Sequence, residues 1–203
     1  MRKYLIICLI ILISNFNVGC IDYNDKTDNN EKKENWQCYY WYHIEINSSS
    51  HYYDLNIPIP VYVDENRTIH ISPIIEDLKV VQGNALFEIE NTSHGPSLRI
   101  NGTGYVVINV SGNDLSKYLI HKIISIIFLS MARDENNDGY YDDEYDENEY
   151  FIFYSQNSTI YIKIILDYFH YSKEIPGISG FNSIEGNLKQ GWNNVTGWFN
   201  VVV

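Results

Sequence analysis

The chain has 203 residues, and Asp and Glu outnumber Lys and Arg by 26 to 14, which leaves a formal net charge of −12 at pH 7. Phosphate binding needs clustered Lys and Arg, and no such cluster is present, so nucleic acid is excluded as a natural partner. The same charge disfavours adsorption to anionic lipid headgroups. Any membrane association must therefore come from an attached lipid rather than from electrostatics.

Residues 1–19 contain the three parts of a secretion signal in the required order. Arg2 and Lys3 supply a positive start, residues 4–13 an apolar core, and Val18-Gly19 a small-residue cleavage region. The apolar core is about half as long as the roughly 20 residues that a membrane-spanning helix needs. A signal peptide is therefore favoured over a permanent transmembrane anchor.

Residues 1–20 resemble a prokaryotic membrane lipoprotein signal, which is cut before the cysteine of a terminal Gly-Cys pair and then acylated on the thiol. The resemblance implies that Cys20 is the mature first residue and carries lipid. The protein would then be anchored in the cell membrane and face outside the cytoplasm. An ordinary cleaved signal and an uncleaved tether are the alternatives. Loss of Arg2 and Lys3 would take the net charge from −12 to −14.

The same prediction decides the chemical state of each of the three cysteines. Cys8 is lost with the signal and Cys20 carries lipid, so Cys38 is left alone and no internal disulfide forms. Without lipidation, Cys20 and Cys38 could pair in an oxidising compartment. Cys38 lies in an apolar, aromatic run, where we expect a small buried hydrophobe rather than a reactive thiol.

Residues 20–35 are predicted to be the lipid-attachment cysteine followed by a disordered polar tether. The segment after Cys20 is polar, mixed in charge and nearly free of aliphatic side chains, so it buries too little surface to offset the entropy of ordering. A random coil of this length reaches about 20 Å, which is enough to clear the lipid headgroups.

From Trp36 onward the sequence is rich in Tyr, Ile, Val, Phe and Thr, punctuated by Gly, Pro and Asn, as is typical of strands and turns. Residues 36–203 fit one domain. Many short strands with turn signals between them predict an all-β fold, a β-sandwich of antiparallel strands. The predicted strands are Cys38–Ile46, Tyr53–Val63, Thr68–Ile71, Ala85–Glu90, Ser97–Ile100, Tyr105–Val110, Ile123–Met131, Tyr150–Tyr154, Thr159–Phe169, Ser183–Leu188 and Trp192–Val203.

Two local signals bear on how these strands connect. Pro58 and Pro60 remove backbone donors from the second predicted strand, so we expect it at a sheet edge or interrupted. Asn101-Gly102 has the residues of a tight hairpin turn, because both tolerate positive φ, and we expect the strands on either side to pair with each other.

At most one or two short helical turns are expected. Ser72-Pro73 begins a single helical turn, because proline suits the first helical position. The segment after an Asn113-Asp114 cap fits both helical spacing and, through its β-branched run at 123–127, a strand. We expect a helical turn at 114–119 and a strand after it.

The densest charge lies in residues 134–149, where nine acids occur without a base. Such density is self-repelling unless a cation or solvent relieves it. Oxygen-bearing side chains alternate before Gly139, and this Asp-x-Asn-x-Asp-Gly pattern in residues 134–142 resembles the calcium loops of EF-hand and dockerin-like families. The resemblance implies a structural calcium ion bound by Asp134, Asn136, Asp138, the carbonyl of Tyr140, and Asp142.

The last ligand of that loop is unassigned, because Tyr145 stands where the family places a bidentate carboxylate. Glu144, Asp146 or Glu147 could substitute. The alternative to calcium binding is a solvated acidic hairpin between Met131 and Tyr150.

The sequence also contains N-glycosylation sequons, which mark surface positions if the host glycosylates asparagine. The alternative is that Asn, Ser and Thr share turn chemistry. Asn109 also has a sequon, but it is flanked by strand residues and is therefore the least expected acceptor. The candidate acceptors are Asn47, Asn66, Asn91, Asn101, Asn157 and Asn194.

No motif points to a catalytic centre, and no catalytic residue is assigned. The histidines have no metal-binding spacing, and the glycines at 177, 180, 186 and 191 look like turn residues. Residues 39–42 put aromatic rings on both faces of one strand, so some are expected to be exposed for stacking on a sugar or a partner. Trp192 and Trp198 are expected to cover the core.

These observations predict a noncatalytic cell-surface lipoprotein that binds an envelope protein or glycan, with calcium as a structural stabiliser. An extracytoplasmic hydrolase with a dispersed active site and a structural envelope component are the alternatives. A cluster of carboxylates or a Ser/His/Asp set in a concave pocket would favour the enzyme. A flat aromatic patch without such a cluster would favour binding.

Overall fold

The computed structural model describes residues 37–50, 52–64, 66, 68–113, 127–132, 146–171 and 177–202. Within these ranges the chain forms strands and one short 3-10 helix, Pro73–Asp77. The strands are β1 Gln37–Ser48, β2 Tyr53–Pro58, β3 Pro60–Val63, β4 Ile69–Ile71, β5 Lys79–Thr92, β6 Gly95–Gly112, β7 Ile127–Leu129, β8 Asp146–Tyr154, β9 Ile160–Tyr171, β10 Ile178–Leu188 and β11 Gly191–Val202.

Eight strands form one antiparallel sheet with the hydrogen-bonded order β1-β9-β10-β11-β8-β2-β6-β5. Because β1 also pairs with β6, the first seven close into a ring and β5 lies along the remaining edge of β6. A second sheet has the order β4-β3-β7. The all-β prediction is confirmed, and the barrel-like closure of the large sheet differs slightly from the sandwich expected.

β6 is one long strand where the sequence predicted two. Its first half pairs with β2 and its second half with β1, so no hairpin forms at Asn101-Gly102 and that prediction is wrong. The hairpin turn lies instead before β6, where Thr92 pairs with Gly95. Gly102 is opposite Tyr53, whose ring occupies the space that a Cβ would fill. The glycine therefore serves close packing across strands rather than a turn.

The proline-containing run 53–63 is interrupted, as one of the two expectations had it. β2 ends at Pro58 in the large sheet, and β3 begins at Pro60 in the small sheet. Ile59 lies between them, and its N–H donates to Ser130 Oγ at 2.9 Å. The helical turn expected after Ser72 is also confirmed by the 3-10 helix that begins at Pro73.

The core lies inside the closed sheet and follows the alternation of each strand. In β9, for example, Ile160, Ile162, Ile164 and Leu166 are fully buried, while the residues between them face outward and are half-buried. Burying each such side chain contributes about 1.5–3 kcal/mol relative to leaving it exposed.

Glycines on inward positions make room for tyrosine rings. Gly180 and Gly186 lie within β10, so the prediction that both are turn residues is wrong. A Cβ on Gly180 would stand 2.2 Å from Tyr168 Cε1, which no real contact allows. The ring–glycine contacts of this kind are Tyr40 with Gly112, Tyr53 with Gly102, Tyr150 with Gly197 and Tyr168 with Gly180.

Several predicted segments lie outside the described residues: the signal peptide 1–19, the tether 20–35 and the helical turn at 114–119. The side chain of Cys38 also lies outside the description, although its backbone belongs to β1. Among the described residues, no helix is long and apolar enough to cross a membrane.

Candidate functional site

The outer face of β1, β9, β10 and β11 carries an aromatic side chain from each strand. Tyr39 on β1 is directly opposite Phe169 on β9. Phe181 lies two positions along β10 from the residue opposite Phe169. Trp198 likewise lies two positions along β11 from the residue opposite Phe181. These four residues form a diagonal line across adjacent strands, which we call the aromatic stripe.

Strand alternation decides which aromatics reach this face. In β1, Tyr42 is fully buried and Tyr39 is 42% exposed, so the run 39–42 does place rings on both faces. Phe181 is 41% exposed and Trp198 57%. Trp192 is 44% exposed, so the prediction that Trp192 and Trp198 cover the core is wrong. Both tryptophans occupy outward-facing positions of β11.

The stripe is long and shallow. Neighbouring strands lie about 4.8 Å apart and diagonal positions about 7–8 Å, so the four positions span roughly 20 Å. The rings of Tyr39 and Phe169 stack with centroids 6.0 Å apart and an interplanar angle of 22°. A sheet face of this form offers an extended surface rather than an enclosed pocket.

Asp167 lies within the stripe, on β9 between Trp41 of β1 and Phe181 of β10. The Tyr39 hydroxyl donates to Asp167 Oδ1 at 3.0 Å. Burial raises the pKa of Asp167, and the hydrogen bond from Tyr39 opposes that rise. Burial and then the Asp167 charge raise the pKa of Tyr39 to about 12. Asp167 Oδ2 has no hydrogen-bond partner in the described part of the chain, so it remains an acceptor for a ligand.

Trp41 widens the stripe on the β1 side. Its indole Nε1 donates to Asn109 Oδ1 at 2.6 Å, so its polar atom is already satisfied. The Trp41 ring also lies 5.1 Å from that of His43, whose pKa is lowered mainly by burial. Trp41 therefore presents ring surface to the outside, and Asn109 is engaged in holding it.

Beyond the stripe the same face becomes polar. Lys163 on β9 lies between Glu45 and Glu185 on the flanking strands, and its Nζ is 3.7 Å from Glu185 Oε2. Tyr161 donates to Glu185, and this hydrogen bond is the main cause that raises the pKa of Tyr161 to about 12. Burial, followed by a hydrogen bond to Glu45, raises the pKa of Tyr105. These carboxylates are thus accounted for as cross-strand ion-pair and hydrogen-bond partners.

A second aromatic group lies on β8, on β11 and in the turn between β5 and β6, away from the stripe. The His94 ring stacks on Phe151 at 4.1 Å and meets Trp192 edge-on at 4.5 Å. Phe153 and Trp192 are 5.4 Å apart. Because these rings pack against one another, Trp192 is an exposed tryptophan in a different setting from Trp198.

The structure describes only some of the sites that the sequence predicted. Among the glycosylation candidates, Asn47, Asn66, Asn91, Asn157 and Asn194 are exposed. Asn101 is half-buried and accepts a hydrogen bond from the Tyr52 hydroxyl. Glycosylation of these positions stays a prediction.

The calcium ligands Asp134, Asn136, Asp138, Tyr140 and Asp142 lie outside the described residues, as does Cys20. Among the residues that are described, no group of three His, Cys, Asp or Glu is placed to hold a metal ion. The two flanks of the acidic segment are joined, because Ala132 pairs with Tyr150 and the Phe151 N–H donates to the Met131 carbonyl at 3.0 Å.

Sequence reasoning found part of the stripe and missed the rest. It singled out the run 39–42 for aromatics on both strand faces, but it did not connect Phe169, Phe181 or Trp198 with it. Their outward parity within each strand was a readable signal. Their adjacency was not, because it depends on pairing between segments far apart in the chain; Tyr39 and Asp167, for example, are separated by 128 positions.

Comparison with known proteins finds no relative of this chain. The chain matches no family model, no curated protein and no solved structure.

Proposed function

We propose that this protein is a noncatalytic, lipid-anchored cell-surface module that binds a glycan of the cell envelope through the aromatic stripe. The observation that carries the proposal is the line of partly exposed rings on four adjacent strands with Asp167 among them. A flat aromatic patch of this kind is the feature expected of a binding surface.

Glycans suit this surface for two chemical reasons. One side of a pyranose ring presents C–H groups that stack on an aromatic face, and the ring edge presents hydroxyls that need hydrogen-bond partners. Tyr and Trp supply rigid contact area at low conformational-entropy cost. Asp167 supplies a carboxylate oxygen beside those rings.

The carboxylates on this face support binding rather than hydrolysis. A glycoside hydrolase ordinarily needs two carboxyl groups flanking the scissile bond. Among the described residues on this outer face, Asp167 is the acid between the rings and Glu149 on β8 lies beyond Trp198, while Glu45 and Glu185 are engaged by tyrosines and, for Glu185, Lys163.

The cell-surface part of the proposal rests on the sequence. The signal-like residues 1–19, Cys20 and the polar tether would hold the domain outside the membrane, where envelope glycans are found. A calcium ion in the acidic segment would stiffen its two flanks, which are joined where Ala132 pairs with Tyr150.

The test is co-sedimentation of the protein with isolated envelope material, with and without prior protease digestion of that material. Replacement of one ring in the line, Trp198→Ala, is expected to weaken binding by about tenfold, because aromatic anchors contribute most of the energy of such contacts. Trp192→Ala is the matched control, since Trp192 is also an exposed tryptophan on β11 but belongs to the second aromatic group.

Binding that survives protease digestion and is lost in Trp198→Ala supports the proposal. Binding that disappears with protease would make the partner an envelope protein. Equal losses in Trp198→Ala and Trp192→Ala would show that the stripe is not the binding surface. Thermal melting checks that both variants remain folded, and Trp198→Ala, which replaces an exposed side chain, should change stability by less than about 0.5 kcal/mol.

A further inference from the structure

We infer that the glycan is an uncharged polysaccharide, bound lengthwise along the aromatic stripe with a sugar hydroxyl donating to Asp167 Oδ2. This inference rests on the proposed function and adds the ligand class and its polar anchor to it.

The charge of the face selects against anionic glycans. The described ionisable side chains around and beyond the stripe are Asp167, Glu45, Glu149, Glu185, Lys163 and His43, and the one lysine among them is paired with Glu185. The whole chain carries a net charge of −12. A polyanion would be repelled by this surface and would find no unpaired cation among these residues.

The shape of the stripe selects for an extended chain. Its positions advance by one strand at each step and cover roughly 20 Å. A single sugar would contact one ring and leave the others in water. A polysaccharide lying across the strands would cover Tyr39, Phe169, Phe181 and Trp198 in succession, so each ring adds contact area to the same ligand.

Asp167 is held ready to accept a hydroxyl. The hydrogen bond from Tyr39 to Oδ1 fixes the orientation of the carboxylate, and Oδ2 has no partner among the described residues. Trp41 and Phe181 lie on either side of it in the paired strands. A ligand stacked on the rings would exclude water there, which strengthens a hydrogen bond to a charged oxygen.

A lipid bilayer is the other surface that attracts Tyr and Trp side chains, which gather at membrane interfaces. The position of Asp167 within the stripe opposes this, because inserting the rings would desolvate a carboxylate whose only described partner is one tyrosine hydroxyl. Insertion of the stripe into a bilayer is therefore disfavoured.

The experiment uses the full chain with Cys20→Ser, so that acylation does not contribute to binding. The probes are protease-treated envelope polysaccharides separated by anion exchange into a neutral and an acidic fraction, together with vesicles of phosphatidylglycerol and phosphatidylethanolamine. Binding is measured by co-sedimentation at low and high salt. The test variant is Asp167→Asn, and Glu45→Gln on the same face is its matched control.

An uncharged ligand predicts binding to the neutral fraction that is insensitive to salt. Asp167→Asn should weaken this binding by about tenfold, because a hydrogen bond to a charged acceptor is lost, whereas Glu45→Gln should leave it unchanged. Thermal melting of each variant confirms that the protein remains folded.

The fraction that the protein binds, and the direction in which binding changes, distinguish failure of the ligand class from failure of the glycan-binding role. Binding to the acidic fraction that Asp167→Asn or added salt strengthens would overturn the uncharged class, while a loss in Trp198→Ala would leave the glycan-binding role intact. Binding to neither fraction would overturn both. Binding to the vesicles that is lost in Trp198→Ala would assign the stripe to the membrane and also overturn both.

Discussion

The ring of Tyr168 lies directly over Gly180 on the neighbouring strand, and its hydroxyl accepts a hydrogen bond from the Ile127 N–H at 3.1 Å. One side chain therefore packs against the backbone of β10 and binds β7 of the small sheet. The contact depends on the absence of a Cβ at Gly180, because Tyr168 Cζ is only 2.3 Å from where that atom would be.

Gly180→Ala is therefore expected to lower the free energy of unfolding by about 1–3 kcal/mol, the usual cost of overpacking a core. Gly186→Ala is the matched control on the same strand, because its Cβ would meet only Val195 Cγ1 at an ordinary 3.4 Å. The measurement is chemical denaturation of both variants. Equal stability of the two would contradict the close packing of ring and glycine.

Stability should fall in mild acid because of two histidines. Burial lowers the pKa of His170 and is the main cause that lowers the pKa of His43. The unfolded chain then takes up protons first, so the free energy of unfolding decreases as pH falls below about 6.5, the unfolded value. The raised pKa of Asp167 acts in the opposite sense: its contribution to stability increases as pH falls through the raised pKa and is complete near the ordinary carboxyl value of about 3.9.

His170→Phe tests this prediction, because phenylalanine replaces the buried ring without a titrating group. Denaturation of the parent and the variant at pH 7.5 and 5.5 should show a smaller loss of stability in the variant. An unchanged difference between the two pH values would mean that His170 does not contribute to acid sensitivity.

Calcium should raise the thermal midpoint if the acidic segment binds it. An ion that binds only the folded state adds about 2.7 kcal/mol at a concentration of 100 times its dissociation constant. Asp138→Ala removes a proposed ligand and should abolish the shift between calcium and chelator. Glu76→Ala, which removes an exposed acid outside that segment, should preserve it. A midpoint that does not change across millimolar calcium would rule out a useful site.

Acylation of Cys20 predicts that Cys20→Ser releases the mature protein from the membrane fraction. Mass spectrometry of the N-terminus reports both cleavage and acylation in the parent chain. If the variant is still cleaved and yet stays with the membrane, the acyl group is not what holds the protein there.

Much of the strand architecture was readable because it depends on neighbouring residues. The residue types of Thr159–Phe169 predicted the strand β9, and Pro58 and Pro60 predicted either an edge strand or the break that separates β2 from β3. Pro73 predicted the one helical turn that the described residues contain. In each case the cause is local: the residue types of one segment, or a proline that lacks a backbone donor.

The Asn101-Gly102 turn shows where local reasoning ends. The pair has the residues of a hairpin, yet β2 pairs along the full length of this segment and keeps it extended. The ring of Tyr53 fills the space above Gly102, so the glycine is required for a contact between strands rather than for positive φ. Long-range pairing outweighed a local turn preference.

The sequence by itself determined the all-β class and the acidic charge, since composition and period-two patterns need no partner. Only the tertiary structure decided that the sheet closes and that Tyr39, Phe169, Phe181 and Trp198 lie side by side. Parity tells which face of its own strand a residue occupies. Register between strands is set by hydrogen bonding and packing across the whole domain, and these appear only when distant segments meet.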